Sequence, residues 1–384
     1  MPKSASFEII VGTYEEYLLG YVFSGEAKTL TNSFASHDHS GSVRCVSTYD
    51  HYLASGASDD RIIIYDMKTR KEHCMLTHHD ASISCVCFSK DHSHVISASQ
   101  DGVLTIVRVG NWQVEKIWDK PHKGCEILDI AVHSSGKLAF TLGADHTLHT
   151  WNLVKGRSAY IINLNTKCKD PKSIEKIVFA PDDNRFLLYG GRYTEIWCIS
   201  LGGVLKVIEH EQKVTCSTWV DNDTLFVGYE DGNIARIDIN SESKKIKKGH
   251  ESRVKAAKYF EGFVVSACSD GEIKVWTRKL KEVSSVKTGC RITCLCVAGL
   301  MCEIKKEEEE LVLAEKEELL FNKKSKVVIE VDVSDDEKAH EEIVKKSKRK
   351  KRKLDVISQT EETSRKSKRK GKKNKKNVNL NKEA

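Results

Sequence analysis

The chain of 384 residues carries 62 Lys and Arg against 55 Asp and Glu, a formal net charge of +7, with 40% hydrophobic and 7% aromatic residues. That length exceeds the usual single domain, and the apolar share is enough for a sizeable core. No run of about 18 apolar residues occurs, which excludes a helical membrane span, and the opening MPKSASFEII lacks the apolar stretch of a secretory leader.

Charge is unevenly spread. Residues 1–300 hold 37 bases and 36 acids, residues 303–342 hold 7 and 15, and residues 343–384 hold 18 and 4. The expected organisation is a nearly neutral folded body over 6–299, an acidic linker over 300–342 and a disordered basic tail over 343–384. Thirteen cysteines, an odd number with no CxxC pair, fit a reducing compartment. Cys85 and Cys87, like Cys294 and Cys296, sit two apart and read as small core residues on one face of a strand rather than as a metal site.

Taken in chain order, VGTYEEYLLGY from Val11 reads as a strand, a tight turn at Glu15 and a second strand. SGASDDRIIIYD from Ser55 repeats the plan with its turn at Asp59, SASQDGVLTIV from Ser97 at Asp101, and TLGADHTLHTW from Thr141 at Asp145. LYGGRYTEIW from Leu188 is a degenerate copy about Gly191, followed by VGYEDGNIARI with its turn at Asp231 and SACSDGEIKVW with its turn at Asp270. The seven turns recur at gaps of 44, 42, 44, 46, 40 and 39 residues. A single hairpin is marginal in water, so each copy needs its neighbours. CRITCLCVAG from Cys290 is expected as an inner strand, completed by SFEIIVG and YLLGYVF from the other end of the chain, so that no sheet edge is left open.

A histidine precedes the turn acid at a near-constant interval: His39, His79, His122, His210 and His250 stand 20, 22, 23, 21 and 20 residues before it. With a period near 40, the chain resembles the WD40 family. The resemblance implies an all-β, seven-bladed WD40 β-propeller in which the His, a Ser or Thr four residues before the Asp, the Asp and a Trp form a buried hydrogen-bonded chain. Complete sets are His122, Thr141, Asp145 and Trp151, and His250, Ser266, Asp270 and Trp276. Tyr65 replaces the Trp beside His39, Ser55 and Asp59; Val107 replaces it beside His79, Ser97 and Asp101; the sixth copy keeps His210 and Asp231. The Asp–His grouping is then architecture, not acid–base machinery.

Phosphate-loop, HExxH and GxSxG signatures do not occur, so neither catalytic residue nor cofactor is expected. The pairs His37 and His39, and His78 and His79, are assigned to the repeat rather than to a metal.

Three stretches carry a finer resemblance: HKGCEILDIAVHSSGKLAFTLGADHTLHTWNLVKGRSAYI from His122, IIIYDMKTRKEH from Ile62 and LTHHDASISCV from Leu76. They resemble the nucleolar branch of the family whose members interact with p21-activated kinases. That implies a non-enzymatic scaffold for assembly of the large (60S) ribosomal subunit and pre-rRNA processing, a monomeric propeller docked on pre-ribosomal proteins, and inhibition of p21-activated kinase signalling. The alternatives are a cytoplasmic kinase-regulating adaptor and a ubiquitin-ligase substrate receptor. The last is disfavoured because YDMK at Tyr65, WNLV at Trp151 and WTRK at Trp276 lack a Trp-Asp-x-Arg ending.

The tail has two dense basic runs. Lys345, Lys346, Lys348, Arg349, Lys350, Lys351, Arg352 and Lys353 form the first, and Arg365, Lys366, Lys368, Arg369 and Lys370 open the second. Such runs serve nuclear import and non-specific contact with rRNA phosphates, and no aromatic interleaves them to read bases. Before them, KVVIEVDVSDDE places Val327, Val328, Ile329 and Val331 in an apolar alternation followed by acids. It reads either as a docking strand for a small ubiquitin-like modifier or as a solubilising acidic linker.

Overall fold

The computed structural model describes residues 5–300, all within the first of the two compact units into which the chain divides, residues 1–310. The described residues form 28 strands in seven antiparallel sheets of four strands each. We number the sheets as blades. Blade 1 covers residues 43–76, blade 2 83–118, blade 3 127–163, blade 4 176–209, blade 5 214–248 and blade 6 254–287. Blade 7 joins β28 (Ile292–Gly299) to β1 (Phe7–Thr13), β2 (Leu18–Ser24) and β3 (Thr29–Ser36), in the order β28-β1-β2-β3. Its closing seam runs from Phe7 opposite Gly299 to Thr13 opposite Ile292, so both ends of the fold are held in one sheet and neither innermost edge is open.

The innermost strands carry the ring: β4 (Val43–Tyr49), β8 (Ile83–Phe88), β12 (Ile127–Val132), β16 (Lys176–Phe179), β20 (Val214–Trp219), β24 (Val254–Phe260) and β28. Each packs on the next, except that β16 is only 4 residues long, and the second strand of blade 4, β17 (Arg185–Gly190), meets β20 instead. Burial follows radius. The second and third strands alternate between two apolar neighbours and are buried on both faces, whereas outermost strands such as β3 and β15 (Arg157–Asn163) are largely exposed. The core is accordingly divided into clusters wedged between successive blades, for example Phe7, Phe23 and Tyr21 of blade 7 against Val265, Ile273 and Val275 of blade 6.

The repeated turn explains its own chemistry. The residue after the turn acid takes a left-handed backbone conformation, with φ of 77° at Gly102, 83° at Gly232 and 84° at Gly271. Asp60, His146 and Glu16 hold the same conformation at φ of 62°, 58° and 71°, a strain that only the surrounding sheet sustains. Gly232 also admits no side chain, since a Cβ there would lie 2.3 Å from the carbonyl oxygen of His250.

Candidate functional site

Blade 3 shows how a repeat is tied together. The indole Nε1 of Trp151 donates to Thr141 Oγ1 at 2.8 Å, and Thr141 Oγ1 lies 2.8 Å from Nε2 of His122. Nδ1 of His122 is 3.0 Å from Asp145 Oδ1 and 3.0 Å from Thr147 Oγ1. A single polarity satisfies the chain: Trp donates to Thr, Thr to the imidazole, and the imidazole N–H to the carboxylate. Burial holds His122 below its ordinary pKa against the pull of Asp145, so the ring is neutral. Burial opposes ionisation of Asp145, but hydrogen bonds from Thr147 and His122 outweigh it and keep the carboxyl below the usual range. Thus His122, Thr141, Asp145 and Trp151 come together, with Thr147 as a further member.

Blade 6 departs from the expected set. Trp276 Nε1 donates to Ser266 Oγ at 2.8 Å and Ser266 Oγ lies 2.7 Å from His250 Nε2, but Nδ1 of His250 is held by Glu272 Oε2 at 2.9 Å. Asp270 is exposed at the turn and does not enter the chain. The reason is side-chain length. Glu272 stands two residues beyond the turn acid, where Thr147 stands in blade 3, and from there a glutamate spans the gap to the imidazole. Lys274, 3.3 Å from Glu272 and 5.9 Å above the Trp276 ring, balances the charge. Glu272 is the only carboxylate two places after a turn acid, where Arg61, Val103, Thr147 and Asn233 stand in the other Asp turns, and that was the available signal.

His210 and Asp231 do not meet either. His210 places Nε2 3.0 Å from Thr194 Oγ1 of blade 4 and Nδ1 3.0 Å from the hydroxyl of Tyr229, while Asp231 accepts from the backbone and side-chain amides of Asn233. Blade 4 has no histidine of its own. Glu195, buried in its third strand, accepts from Trp197 Nε1 at 3.1 Å and from the backbone N–H of Lys169 at 2.8 Å. The connection that delivers Lys169 contains two short 3-10 turns, Leu164–Thr166 and Pro171–Ser173, and accounts for the longest gap between turns. Glu195→Ala is expected to leave two donors unmatched, one of them the buried indole N–H of Trp197, and cost roughly 1–3 kcal/mol, with Glu195→Gln costing less, since the amide oxygen still accepts. Urea denaturation of both variants checks this, and equal midpoints for Ala and wild type would reject the assignment.

Blades 1 and 2 retain shorter chains. His39 lies 2.7 Å from Ser55 Oγ and 3.0 Å from Asp59 Oδ2, and His79 lies 2.9 Å from Ser97 Oγ and 3.4 Å from Asp101 Oδ2. Tyr65 and Val107 fill the tryptophan positions as buried core residues. His37 faces Glu16 at 3.3 Å on the surface, and His78 approaches Ser97 Oγ at 3.4 Å. Among the described residues, two groups bring three metal-ligating side chains within 4.8 Å: His122, Asp145 and His149, and His250, Cys268 and Glu272. In each, the blade histidine and the carboxylate are already hydrogen-bonded to one another, a bond that a metal would have to displace.

Of the ion pairs that cross seams between blades, two rest on a buried carboxylate that spacing does not reveal. Lys176 Nζ lies 3.1 Å from Asp129 Oδ1, and the second oxygen accepts the backbone N–H of Ile177 at 2.9 Å, which ties blade 3 to blade 4. Burial disfavours the ammonium, yet Asp129 outweighs it and holds Lys176 above its ordinary pKa. Glu8, buried in β1, takes Arg70 Nη1 of blade 1 at 2.8 Å. Of the paired cysteines, Cys85 and Cys296 are buried and Cys87 and Cys294 partly so, on the innermost strands. The basic runs from Lys345 and Arg365 and the alternation Val327, Val328, Ile329 and Val331 lie outside the described residues.

The WD domain, G-beta repeat family matches residues 28–66, 70–107 and 241–277. Each match begins near the outermost strand of one blade and ends in the third strand of the next, the stagger that forces blade 7 to draw on both ends of the chain. The chain is 32% identical over 362 residues to a p21-activated protein kinase-interacting protein 1-like protein of Danio rerio, covering 89% of this chain and 96% of that one. It is 31% identical over 304 residues to the protein of that name in Xenopus laevis, covering 76% and 81%, and 32% identical over 303 residues to the one in Gallus gallus, covering 76% and 80%. By its repeats, its closed seven-bladed ring and this likeness over most of its length, the chain belongs to the p21-activated protein kinase-interacting protein 1 family of WD40 β-propellers.

Proposed function

We propose that the protein is a non-enzymatic nucleolar scaffold which docks pre-ribosomal proteins during assembly of the large ribosomal subunit and pre-rRNA processing, its basic tail giving nuclear import and a sequence-independent grip on rRNA. The observation that carries the reading is the likeness across 89% of the chain to the kinase-interacting protein of Danio rerio, the branch whose resemblance implies this role. A propeller whose repeated polar groups are buried in tying blades together fits a docking platform rather than a catalyst. Affinity purification of the full chain from nuclear extract, with and without RNase, tests it. Recovery of large-subunit precursors supports the proposal; a kinase recovered with no ribosomal material rejects it.

A second reading, favoured by the names of the relatives, is that the propeller holds a p21-activated kinase or its regulatory segment. Both readings allow the tail to act independently. Deleting residues 345–376 removes 17 of the 18 bases after Ile343 and is expected to shift the protein from nucleus to cytoplasm. RNA binding by the full chain should also weaken steeply with added salt, because counterion release drives such contacts. Fluorescence microscopy of the deletion settles the first point: retained nuclear signal would assign import to another segment.

A further inference from the structure

At the start of the innermost strand of every blade except blade 4 the ladder slips by one residue. The extra residue is Arg44 in blade 1, Ser84 in blade 2, Leu128 in blade 3, Thr215 in blade 5, Lys255 in blade 6 and Thr293 in blade 7. A bulge of this kind re-aims its side chain. Thr293 uses the position to bond its own blade and the next, sharing its hydroxyl between the carbonyls of Gly12 and Val43, and Thr215 does the same with Gly228 and Val254. Arg44 and Lys255 occupy the equivalent place without making such a seam bond.

These two cations are also without counter-ions. Among the described residues, no carboxylate lies within 4.0 Å of Arg44 or Lys255, whereas the neighbouring Lys213 is paired with Glu175 at 2.9 Å and Arg253 approaches Glu230 at 3.9 Å. Arg291, which enters β28, donates its backbone N–H to Glu15, and its guanidinium lies 5.3 Å over the ring of the exposed Tyr14. Burial, and after it the fields of Arg253, Arg291 and Arg44, hold Lys255 below its ordinary pKa. Arg44 and Lys255 stand at the bulge position that Thr293 and Thr215 share, where those hydroxyls reach the carbonyls of Val43 and Val254, so both cations lie at the same end of the ring of innermost strands. Blades 6, 7 and 1 are consecutive, because β24 packs on β28 and β28 on β4. A like-charge cluster that neither bonds a seam nor finds a partner lowers stability, and it persists where a ligand supplies the missing charge.

We infer that the channel mouth at blades 6, 7 and 1 binds the phosphorylated side chain of a partner peptide, with Arg44, Lys255 and Arg291 as its principal contacts. A phosphate dianion matches several convergent cations better than one carboxylate does, and guanidinium groups bond it in paired fashion. The extent of the cluster favours a peptide over RNA. Glu15 bonds the backbone of Arg291, Glu175 pairs with Lys213 and Glu230 approaches Arg253, so a chain of phosphodiesters laid across this face would meet several carboxylates, of which a single phosphorylated side chain spans fewer. This inference concerns the propeller itself and stands apart from the ribosomal reading.

The test uses the full chain and a blocked Gly-Gly-phosphoserine-Gly-Gly peptide, with melting temperature read at constant ionic strength. A ligand raises the melting temperature only if it prefers the folded protein, so anion binding by residues that behave alike in folded and unfolded chains does not contribute. A saturating concentration of the phosphopeptide is expected to raise the midpoint by about 2–5 °C and the unphosphorylated peptide to leave it unchanged. The double substitution Arg44→Ala and Lys255→Ala should abolish the rise, and Lys213→Ala, which removes a paired cation, should preserve it. Without peptide, the double variant should melt at or above wild type, since mutual repulsion is relieved. The inference is overturned if both peptides act alike, if the rise survives the double substitution, or if that variant melts several degrees lower on its own. A rise given by oligouridylate and lost in the double variant, with none from the phosphopeptide, would likewise overturn it in favour of RNA.

Discussion

Trp276→Ala is expected to destabilise the propeller by roughly 3–5 kcal/mol, lowering its melting temperature by on the order of 10 °C. The indole is fully buried at the seam of blades 5 and 6, packed with Val254, Val264 and Ile234, and its N–H satisfies Ser266. Truncation therefore combines a cavity with an unmatched hydroxyl at the head of a chain that ends on Glu272. The same chain fixes the order of the smaller effects. Glu272→Ala strips the imidazole N–H of its acceptor and should cost about 1–3 kcal/mol, whereas Asp270→Ala removes an exposed turn carboxylate and should stay within about 0.5 kcal/mol. Calorimetry of the three variants checks the order. An Asp270→Ala loss equal to that of Glu272→Ala would return the aspartate to the network.

The ring was legible because its signals are local and repeated. A turn every 39 to 46 residues, acidic in six of seven copies, an apolar strand on each side and in five copies a histidine 20 to 23 residues before specify a hairpin and its anchor, and the number of copies specifies the number of blades. Closure was legible in part, since CRITCLCVAG supplied the inner strand and SFEIIVG and YLLGYVF two of the three strands from the other end of the chain, whereas the largely exposed β3 carries too little apolar alternation to be read. What spacing could not resolve was which of two carboxylates answers a histidine. Asp270 and Glu272 are two residues apart, and the choice depends on one methylene of reach across a turn. Blade 4 was opaque for a related reason. Its histidine is missing, and the replacement, Glu195, is an ordinary charged residue in a strand pattern until Trp197 and the backbone of Lys169 are seen to converge on it. The cations at the channel mouth were invisible for the opposite reason. Arg44, Lys255 and Arg291 are more than 200 residues apart at the extremes, and only the closing of the ring brings their blades together.

Acid should unfold the propeller in two stages, and the histidines govern the first. Burial drives His149 and His210 down to about 4, with the neighbouring His122 acting in the same direction on His149 and Lys244 on His210. His79, His122 and His250 are lowered by burial as well. Each is neutral in the fold and protonates at about 6.5 once the chain unfolds. Between those values the unfolded state binds more protons, so stability is complete above about pH 6.5 and falls as pH drops towards 4. The second stage begins near pH 4, where Asp59, Asp101 and Asp145, all held below the usual carboxylate range by their hydrogen bonds despite burial, take up protons and release their partners. His149 isolates one contributor. Its ring packs 4.0 Å from that of His122, its Nδ1 is buried without a partner, and Asp145 is the one carboxylate whose field opposes the shift. The corresponding position, four residues after the turn acid, holds Ile63, Thr105 and Ala235 in blades 1, 2 and 5, so the fold accepts an uncharged residue there. His149→Ile should therefore flatten the dependence of unfolding free energy on pH between about 6.5 and 4 by up to about 1.4 kcal/mol per pH unit, and leave the stage below pH 4 in place. Urea titrations at half-unit steps measure the slope directly. Parallel curves for variant and wild type over that window would show that His149 is protonated as easily in the folded protein as outside it, and that the buried nitrogen is not the group that resists charge.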